Sequence, residues 1–478
     1  MACGTTRMPP KSEVSQDVGA LIERARAAQV SYAKAGQEVL DEAVAAVAWA
    51  ILEPSRNRQL AERAVKDTGL GNVPDKILKN HRKTLGLLRD LHGVKTTGVV
   101  ARDRNTGITE IARPVGVVAA VTPSTNPSAT PANNIINALK CGNAVIVAPS
   151  PKGVGTAMLL LEFIYEQFDL CGLPRDLVQV LPAPINKETT AELMRQADLV
   201  VATGSRSNVH MAYTCGTPAF GVGVGNVVAI IDETADIEEA ARKIARSKTF
   251  DNATSCSSEN HLVILDAVYD AALDALEACG AVLLDEDEKS RLQKAMWPKG
   301  TLSSSVVGKD AGSLVLQAGL DRIAARQPAP TFLLVTETGI GEAYPYSGEK
   351  LSPVLTIYRA RNFNEARDTV RAIYGYMGAG HSVGLHSAKK QRALVLGETL
   401  PVSRVIVNQS HCFATGGNFD NGLPFSLSMG CGTWGGNNFS ENMHYRQFQN
   451  LTRVSVPIVA NTPSEGDLLG TYFRKYGR

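Results

Sequence analysis

The feature that most constrains the fold is a series of short, almost wholly apolar runs between residues 115 and 231. Strands that are buried on both faces have this character, whereas half-exposed strands alternate apolar and polar residues. Helical stretches separate most of the runs, and this alternation predicts an α/β fold with a doubly wound, Rossmann-like parallel sheet. The runs are 115–121, 144–148, 177–181, 199–202 and 227–231, and the helical stretches are 132–140, 154–168, 188–196 and 207–214.

With 478 residues, the chain is too long for one ordinary hydrophobic core. We predict a nucleotide-binding domain over 1–232, a second α/β catalytic domain over 233–429, and a C-terminal segment over 430–478 that returns to the cofactor domain and an oligomer interface. Residues 98–113 alternate apolar and polar side chains around Asn-Thr-Gly, which predicts a hairpin arm. The earlier helical stretches, about 14–50 and 59–91, are predicted to be amphipathic cover without chemistry of their own.

Charge and composition exclude several classes of protein. Lys and Arg number 49 against 47 Asp and Glu, and no basic tract stands out, so a nucleic-acid partner is not expected. No apolar run approaches the roughly 18–20 residues that span a bilayer, and residues 1–10 lack the apolar centre of a secretory signal. The 8 cysteines include no C-x-x-C pair and no zinc spacing, so we expect reduced thiols, no metal site and a cytoplasmic location.

Cys256 is the candidate nucleophile. It lies among small polar residues, in Thr254-Ser255-Cys256-Ser257-Ser258, and an apolar run follows at 262–264. A nucleophilic thiol needs access for an incoming carbon and nearby N–H groups that hold its thiolate and the oxyanion, and small neighbours allow both. The alternative is a buried structural cysteine, which is the commoner kind.

Two glycine-containing stretches are candidates for a phosphate-binding loop. In the first, an apolar run enters the turn Thr203-Gly204-Ser205 and a helical stretch follows, so backbone N–H groups at a helix N-terminus are offered to a pyrophosphate. The second, 221–226, precedes a strand instead of following one, and therefore fails as a dinucleotide fingerprint. Glycine-rich segments at 415–418 and 430–438 are predicted to be loops packed around a ligand.

Taken together and in order, these motifs resemble those of the aldehyde dehydrogenase superfamily, and specifically of its CoA-acylating branch. The resemblance extends from about residue 14 to residue 454 and implies an aldehyde dehydrogenase-like fold with an oligomerisation arm. The motifs that carry it are Thr122-Pro123-Ser124-Thr125-Asn126-Pro127, Thr203-Gly204-Ser205, 221–226, Ser255-Cys256-Ser257-Ser258-Glu259, Glu349-Lys350-Leu351-Ser352-Pro353 and 430–442.

The resemblance implies a role for each candidate residue. Cys256 attacks the aldehyde carbon, and the Asn126 amide shares the oxyanion with the backbone N–H of Cys256. Glu349 accepts hydrogen bonds from the nicotinamide ribose. The remaining cofactor-binding candidates are Thr122, Ser150, Lys152, Thr203, Gly204, Ser205 and Gly223.

The absence of one glutamate separates the acylating branch of the family from the hydrolytic branch. Hydrolytic members carry a water-activating glutamate in the segment that matches 221–226, whereas this segment has no ionisable side chain. Coenzyme A is therefore the expected acyl acceptor, because water without a base is a poor nucleophile. Glu259 is a second possible base, although a structural carboxylate is favoured there. His381 is expected near the site, where it assists deprotonation of the CoA thiol.

The predictions of the cofactor and of the substrate rest on weaker signals in the sequence. No acidic residue follows the run 144–148, and Ser150 with Lys152 accommodates a 2′-phosphate, so NADP is favoured slightly over NAD. The C-terminal motifs resemble those of enzymes that act on small anionic aldehydes. Sulfoacetaldehyde is the first candidate, then succinate semialdehyde, acetaldehyde and propionaldehyde. Donors to the anionic tail are sought among His411, Arg113 and Asn418.

Two rival functions remain open. The chain is either a dehydrogenase, or a non-redox acyl-CoA transferase that uses Cys256, or an idle assembly partner, although Cys256, Asn126 and Glu349 together argue against the last. The arm at 98–113 and the strand-like stretch 452–459 are expected to join a homo-dimer or homo-tetramer, and the tail after residue 457 is expected to be exposed. The stretch 280–342 carries no usable motif, and association with a bacterial microcompartment stays open.

Overall fold

A computed structural model describes residues 13–478, so the expected absence of a signal in residues 1–10 lies outside the described residues. No helix within 13–478 is both long and apolar enough to cross a membrane. The helices are α1 (Glu13–Tyr32), α2 (Gln37–Leu52), α3 (Pro54–Thr68), α4 (Val73–Leu91), α5 (Ala129–Lys140), α6 (Val154–Cys171), α7 (Lys187–Gln196), α8 (Arg206–Thr214), α9 (Ile237–Thr249), α10 (Tyr269–Ala278), α11 (Glu286–Met296), α12 (Ala311–Gln317), α13 (Asp321–Ala324), α14 (Phe363–Tyr376), α15 (Lys390–Thr399), α16 (His411–Ala414) and α17 (Glu465–Tyr476).

The strands of the described chain form three sheets. They are β1 (Gly98–Asp103), β2 (Ile108–Pro114), β3 (Val117–Thr122), β4 (Ala144–Pro149), β5 (Val178–Val180), β6 (Leu199–Thr203), β7 (Ala219–Val222), β8 (Val227–Ile231), β9 (Glu259–Leu265), β10 (Ala281–Leu283), β11 (Phe332–Thr336), β12 (Val354–Ala360), β13 (Val383–His386), β14 (Val405–Val407) and β15 (Gln449–Ser455).

The first sheet is parallel and has the order β5-β4-β3-β6-β7. Its strands β3, β4 and β6 are almost wholly buried, because helices cover both faces and leave no place for polar side chains. The strand order reverses between β3 and β6, and ligands of doubly wound sheets bind at such a switch point, beyond the carboxyl ends of the strands. Thr122 and Thr203 are the last residues of these two strands. The predicted α/β, Rossmann-like class is confirmed.

The second sheet has seven parallel strands in the order β10-β11-β12-β9-β8-β13-β14. Strand β8, Val227–Ile231, lies inside this sheet, between β9 and β13. The sequence analysis grouped this strand with the cofactor sheet, and that assignment was wrong, because a fully buried parallel strand looks the same in either sheet. The predicted limits of the three domains remain a proposal. In that proposal, strand β8 belongs with the second sheet instead of the first.

The third sheet is the arm, with the antiparallel order β1-β2-β15. Its hairpin agrees with the prediction for 98–113, and β15 pairs along the whole of β2, with Leu451 opposite Ala112. The predicted strand 452–459 is displaced, since β15 covers Gln449–Ser455. Beyond it, α17 is an exposed helix, so the tail is exposed as expected but regular.

Helix α4 has an unusual distribution of side chains. Its inner face buries Lys76, Lys79 and Lys83, whereas Leu78 and Leu85 on the outer face are 45% and 42% exposed. Buried lysines are rare unless they are paired, so an inner face of this kind must meet polar or negative groups. The prediction that the stretch 59–91 is amphipathic cover was therefore wrong for its second half, whose inner face carries the lysines.

We expect Gly86→Ala in α4 to destabilise the protein although alanine is the better helix former. A β-carbon at Gly86 would lie 2.2 Å from Cδ1 of Phe425, and overpacking of this kind costs about 1–3 kcal/mol, more than the roughly 1 kcal/mol that helix propensity returns. The matched control is Gly375→Ala in α14, where a β-carbon meets nothing within 4 Å. Thermal melting should show a lower Tm for the first variant only; a Tm that rises in both would contradict this packing.

Candidate active site

A cavity of about 380 Å³ opens where β3 and β6 end. The second sheet contributes to its wall through the loops before β9 and β12. Nine of the ten residues that the sequence analysis singled out line this one cavity: Thr122, Asn126, Ser150, Thr203, Gly204, Ser205, Gly223, Cys256 and Glu349. The tenth, Lys152, is exposed in the short helical turn Pro151–Gly153, outside this wall.

The Cys256 thiol faces an imidazole. Its Sγ lies 3.5 Å from Nε2 of His381, so a proton can pass directly between the two atoms. Burial, together with the Glu349 carboxyl, raises the pKa of Cys256 to about 12. Burial, together with the Arg404 guanidinium, lowers the pKa of His381 to about 3. The resting pair is therefore a neutral thiol beside a neutral imidazole, which is free to accept the thiol proton.

A second histidine lies behind the first. His381 Nδ1 is 2.8 Å from the Ser382 hydroxyl oxygen, and that oxygen is 2.8 Å from His411 Nε2. All three residues are buried. In one arrangement Nδ1–H of His381 donates to Ser382, whose hydroxyl donates to His411, while His411 Nδ1 has no partner in the described chain. This leaves Nε2 of His381 as the acceptor that faces Cys256.

The loop before the nucleophile has a strained backbone. Asp251, Asn252 and Ala253 have φ angles of 49°, 53° and 57°, in the left-handed region that side chains disfavour. Such residues cost about 1–3 kcal/mol each and persist only where their surroundings hold them. Here Asp251 Oδ1 accepts from the Asn72 backbone N–H at 3.0 Å, and the Asp251 N–H donates to Asp75 at 2.7 Å.

The fully buried Asp251 carboxylate also binds two lysines of α4. Its Oδ2 lies 3.1 Å from Lys76 Nζ and 2.5 Å from Lys79 Nζ. Despite its burial, the pKa of Asp251 lies below the usual value because the two ammonium groups stabilise the carboxylate. This cluster fixes the strained loop against α4.

Lys79 connects the same cluster to the predicted oxyanion donor. Its Nζ donates to Oδ1 of Asn126 at 2.8 Å. Because the carbonyl oxygen of the amide is occupied in this way, the Nδ2 amino group is left to donate, 3.4 Å from the hydroxyl of Thr125. Asn126 and Cys256 line the same cavity, so the amide can serve an oxyanion formed there.

Glu349 reaches the cavity from the second sheet. Its Oε1 accepts from the Gly225 backbone N–H at 3.2 Å, and burial raises its pKa to about 8. Near neutral pH the carboxyl is therefore mostly protonated. Gly225 itself has no room for a side chain, because a β-carbon would lie 2.3 Å from the Cys256 carbonyl oxygen.

The cavity suits a nicotinamide dinucleotide. Gly204 has φ 152°, a conformation that favours glycine, and Ser205 caps the N-terminus of α8 by accepting from the Asn208 N–H at 3.3 Å. Strand end, glycine turn and helix N-terminus together form an anion-binding surface in the wall of the cavity. Ser150 joins the wall at the end of β4, without an acidic neighbour in the Pro151–Gly153 turn.

Comparison with known proteins identifies the family. A model of the aldehyde dehydrogenase family matches residues 7–285. A sulfoacetaldehyde dehydrogenase (acylating) of Cupriavidus necator is 66% identical over 469 residues, which cover 98% of this chain and 95% of that protein. The chain belongs to the aldehyde dehydrogenase family.

Other members of the aldehyde dehydrogenase family resemble the chain over almost its whole length. A sulfoacetaldehyde dehydrogenase (acylating) of Bilophila wadsworthia is 39% identical and covers 96% of this chain, which covers 98% of it. The crystal structure of an acetylating aldehyde dehydrogenase from Geobacillus thermoglucosidasius superposes with a TM-score of 0.89 at 33% identity, over 95% of this chain and 98% of that one. The predicted aldehyde dehydrogenase-like fold is thereby confirmed.

Three other candidate residues from the sequence do not line this cavity. Glu259 is buried, accepts from the Ser247 hydroxyl and the His411 N–H, and lies outside the described cavity wall, which agrees with a structural carboxylate. Arg113 lies on β2 of the arm, paired with Asn450, and does not line the described cavity, so its role at the aldehyde tail stays an untested prediction. Asn418 Oδ1 accepts a hydrogen bond from Arg82 Nη1 at 3.0 Å.

Sequence reasoning missed Lys79, Ser382 and the role of Asp251. Lys79 and Asp251 are 172 positions apart, and His381 and Cys256 are 125 positions apart, so no local motif joins them. A signal was nevertheless present, since three lysines at helical spacing share one face of α4 with few acidic residues opposite.

We expect the resting Cys256 thiol to be slow to alkylate. A raised pKa means that the thiolate fraction at neutral pH is small and rises about tenfold per pH unit until the raised pKa is reached. Iodoacetamide labelling of the Cys256 peptide in the cofactor-free protein should therefore accelerate steadily from about pH 7 to pH 10. A plateau near pH 8, typical of an ordinary or an activated thiol, would contradict the neutral Cys–His pair.

Proposed function

We propose that the protein is a CoA-acylating aldehyde dehydrogenase that oxidises a small anionic aldehyde, sulfoacetaldehyde, to its CoA thioester. The observation that carries the proposal is the surroundings of Cys256. A neutral imidazole lies 3.5 Å from the thiol, while the segment 221–226 carries no base and the Glu349 carboxyl has a pKa of about 8. The site can form a thioester, but the segment in which hydrolytic members carry the water-activating glutamate has no carboxyl group.

The first step joins Cys256 to the aldehyde. Sγ attacks the carbonyl carbon, a C–S bond forms, and the thiol proton moves to Nε2 of His381. The carbonyl electron pair moves to the oxygen, where the Asn126 amide donates a hydrogen bond. Lys79 keeps that amide turned correctly through its contact with Oδ1.

The second step leaves a thioester on Cys256. A nicotinamide, when bound, supplies the acceptor for the hydride that leaves the tetrahedral carbon. Thr203, Gly204 and Ser205, which line the cavity, would hold its pyrophosphate, and Glu349 would bind its ribose. Collapse of the oxyanion restores the carbonyl of the acyl group.

The third step transfers the acyl group to coenzyme A. His381 first releases to solvent the proton that it took from Cys256, and it then takes the proton of the CoA thiol. The CoA thiolate attacks the thioester carbon, and the Cys256 thiolate leaves and recovers that proton from His381. The Ser382 and His411 groups behind His381 hold its Nδ1–H in place, which keeps Nε2 available in both proton transfers. Overall, aldehyde, NAD(P)⁺ and CoA yield acyl-CoA, NAD(P)H and a proton.

The substrate assignment is supported by similarity. The Cupriavidus necator relative, 66% identical over nearly the full length, is named for sulfoacetaldehyde and for acylation. Succinate semialdehyde, acetaldehyde and propionaldehyde are the alternatives. NADP stays favoured over NAD only through the absence of an acid near Ser150, since Lys152 is exposed and does not line the described cavity.

We also propose that the arm joins subunits in a homo-dimer or homo-tetramer. Strand β15 is an exposed edge of the three-stranded sheet, and Val454, Val456 and Ile458 expose 46%, 56% and 53% of their surface. An unpaired edge with apolar side chains favours association. The cytoplasmic location remains a prediction.

A spectrophotometric assay tests the function. Sulfoacetaldehyde with NADP or NAD should give nicotinamide reduction that requires coenzyme A, and Cys256→Ala should abolish it, a loss of at least about a thousandfold. Equal turnover without coenzyme A would contradict the acylating mechanism. Thioester exchange without any nicotinamide reduction would favour the non-redox acyl-CoA transferase instead.

A further inference from the structure

A second, small cavity adjoins the active site on the side of α4. The two cavities share Asn126, Ser255, Leu427 and Met429 in their walls. The inner one measures about 20 Å³, which is room for one or two water molecules, so a compact head group suits it better than a long chain. Its polar wall consists of Lys79, Arg82, Lys83, Ser255, Ser257 and Ser426.

The positive charge of this wall comes from one helix face. Lys79, Arg82 and Lys83 are spaced i, i+3 and i+4 on α4, so their side chains project in the same direction. Lys79 is neutralised in part by Asp251, which it shares with Lys76. Within residues 13–478, Arg82 and Lys83 have no carboxylate within ion-pair distance.

The partners of Arg82 and Lys83 are neutral oxygens. Arg82 Nη1 donates to the carbonyl oxygens of Phe413 and Gly417, both at 3.2 Å, while its Nε is buried without a partner in the described chain. Lys83, 6% exposed, donates to the carbonyl oxygens of Gly416 and Ser426 at 2.5 and 3.1 Å. The buried Lys83 and the half-buried Arg82, with one orphan N–H between them, lack an anion that would offset their desolvation.

The position of the cavity relative to the nucleophile matters as much as its charge. Ser255 and Ser257 flank Cys256 in the chain, and their hydroxyls, 2.8 Å apart, both border the inner cavity. In sulfoacetaldehyde the sulfur is separated from the reacting carbon by a single methylene. A sulfonate attached to a carbon at Cys256 must therefore lie in a space immediately beside the nucleophile, and this cavity is such a space.

We propose that Arg82 and Lys83 of α4, with the Ser255 and Ser257 hydroxyls, bind the sulfonate of the aldehyde substrate. The inference rests on the proposed function and deepens it by assigning the tail of the substrate to a site. A sulfonate offers three oxygens to N–H and O–H donors, and ionised pairs of this kind are stronger than neutral hydrogen bonds. Burial and the neighbouring Arg82 lower the pKa of Lys83, and a bound anion reverses that effect.

Steady-state kinetics of Arg82→Met and Lys83→Met test the proposal. Methionine keeps much of the side-chain bulk and removes the charge. We expect the ratio of kcat/KM for sulfoacetaldehyde to kcat/KM for propionaldehyde to fall about tenfold to a hundredfold in each variant, mainly through KM. The matched control is Arg89→Met, an exposed residue of the same helix that lies outside the inner cavity wall, and its ratio should equal that of the wild type.

A binding measurement is independent of turnover. Ethanesulfonate, which lacks the aldehyde, should inhibit the wild-type enzyme competitively against sulfoacetaldehyde, and the uncharged ethyl methyl sulfone should not. Both Met variants should lose the inhibition by ethanesulfonate, while their melting curves show that they remain folded.

Three outcomes would overturn the proposal. One is an equal loss of activity toward sulfoacetaldehyde and propionaldehyde, which would make the two cations purely structural. Another is ethanesulfonate inhibition that survives both substitutions. The third is a loss confined to succinate semialdehyde, which would assign the cavity to a carboxylate. Failure of the proposed function itself would look different, because the wild type would then show no CoA-dependent nicotinamide reduction with any aldehyde.

Discussion

The geometry of the active site depends on one buried carboxylate, that of Asp251. It holds Lys76 and Lys79 of α4 at 3.1 and 2.5 Å, and it belongs to the left-handed loop that leads to Cys256. Lys79 in turn orients the amide of Asn126. Nucleophile and oxyanion donor therefore share one anchor. Removal of a partner from a buried ion pair costs about 3–5 kcal/mol, because an unpaired charge is left behind, so this cluster couples folding to catalysis.

The groups that perform the chemistry are, by contrast, uncharged at rest. The thiol of Cys256, the imidazole of His381 and most of the Glu349 carboxyl are neutral near pH 7, because burial shifts each pKa toward the neutral form. Charge develops only when Cys256 loses its proton to His381 during attack. The segment 221–226 provides no carboxylate that would activate water, so we expect the acyl group to be retained until a thiol arrives. Charge is concentrated instead on α4, beside the place where an anionic tail would lie.

Much of this could be predicted from sequence. Fully buried strands and the chain order of the motifs indicated the fold, and nine of ten candidate residues line one cavity, because they follow the carboxyl ends of neighbouring strands or precede β9 and β12. Strand β8 was misplaced since its apolar run fits either sheet equally well. Lys152 lies outside the cavity wall, exposed in the short helical turn Pro151–Gly153, and its role at the cofactor stays a prediction.

The sequence predictions for α4 and for the groups behind His381 failed for a different physical reason. An amphipathic pattern does not tell which face of a helix is buried, and in α4 the lysine face is the inner one. The His381, Ser382 and His411 arrangement joins residues 29 positions apart or adjacent, and its connection to Cys256 spans 125 positions. Only tertiary structure brings such groups together, and no local periodicity in the sequence predicts their contact.

The central claim is that the acyl group stays on Cys256 until coenzyme A removes it. Intact-protein mass spectrometry after mixing the enzyme with sulfoacetaldehyde and NADP, without coenzyme A, measures this directly. The account predicts one acyl group per chain, located on the Cys256 peptide, accompanied by one equivalent of NADPH and cleared when coenzyme A is added. Unmodified protein together with many equivalents of NADPH would mean that water releases the product, and it would contradict the account.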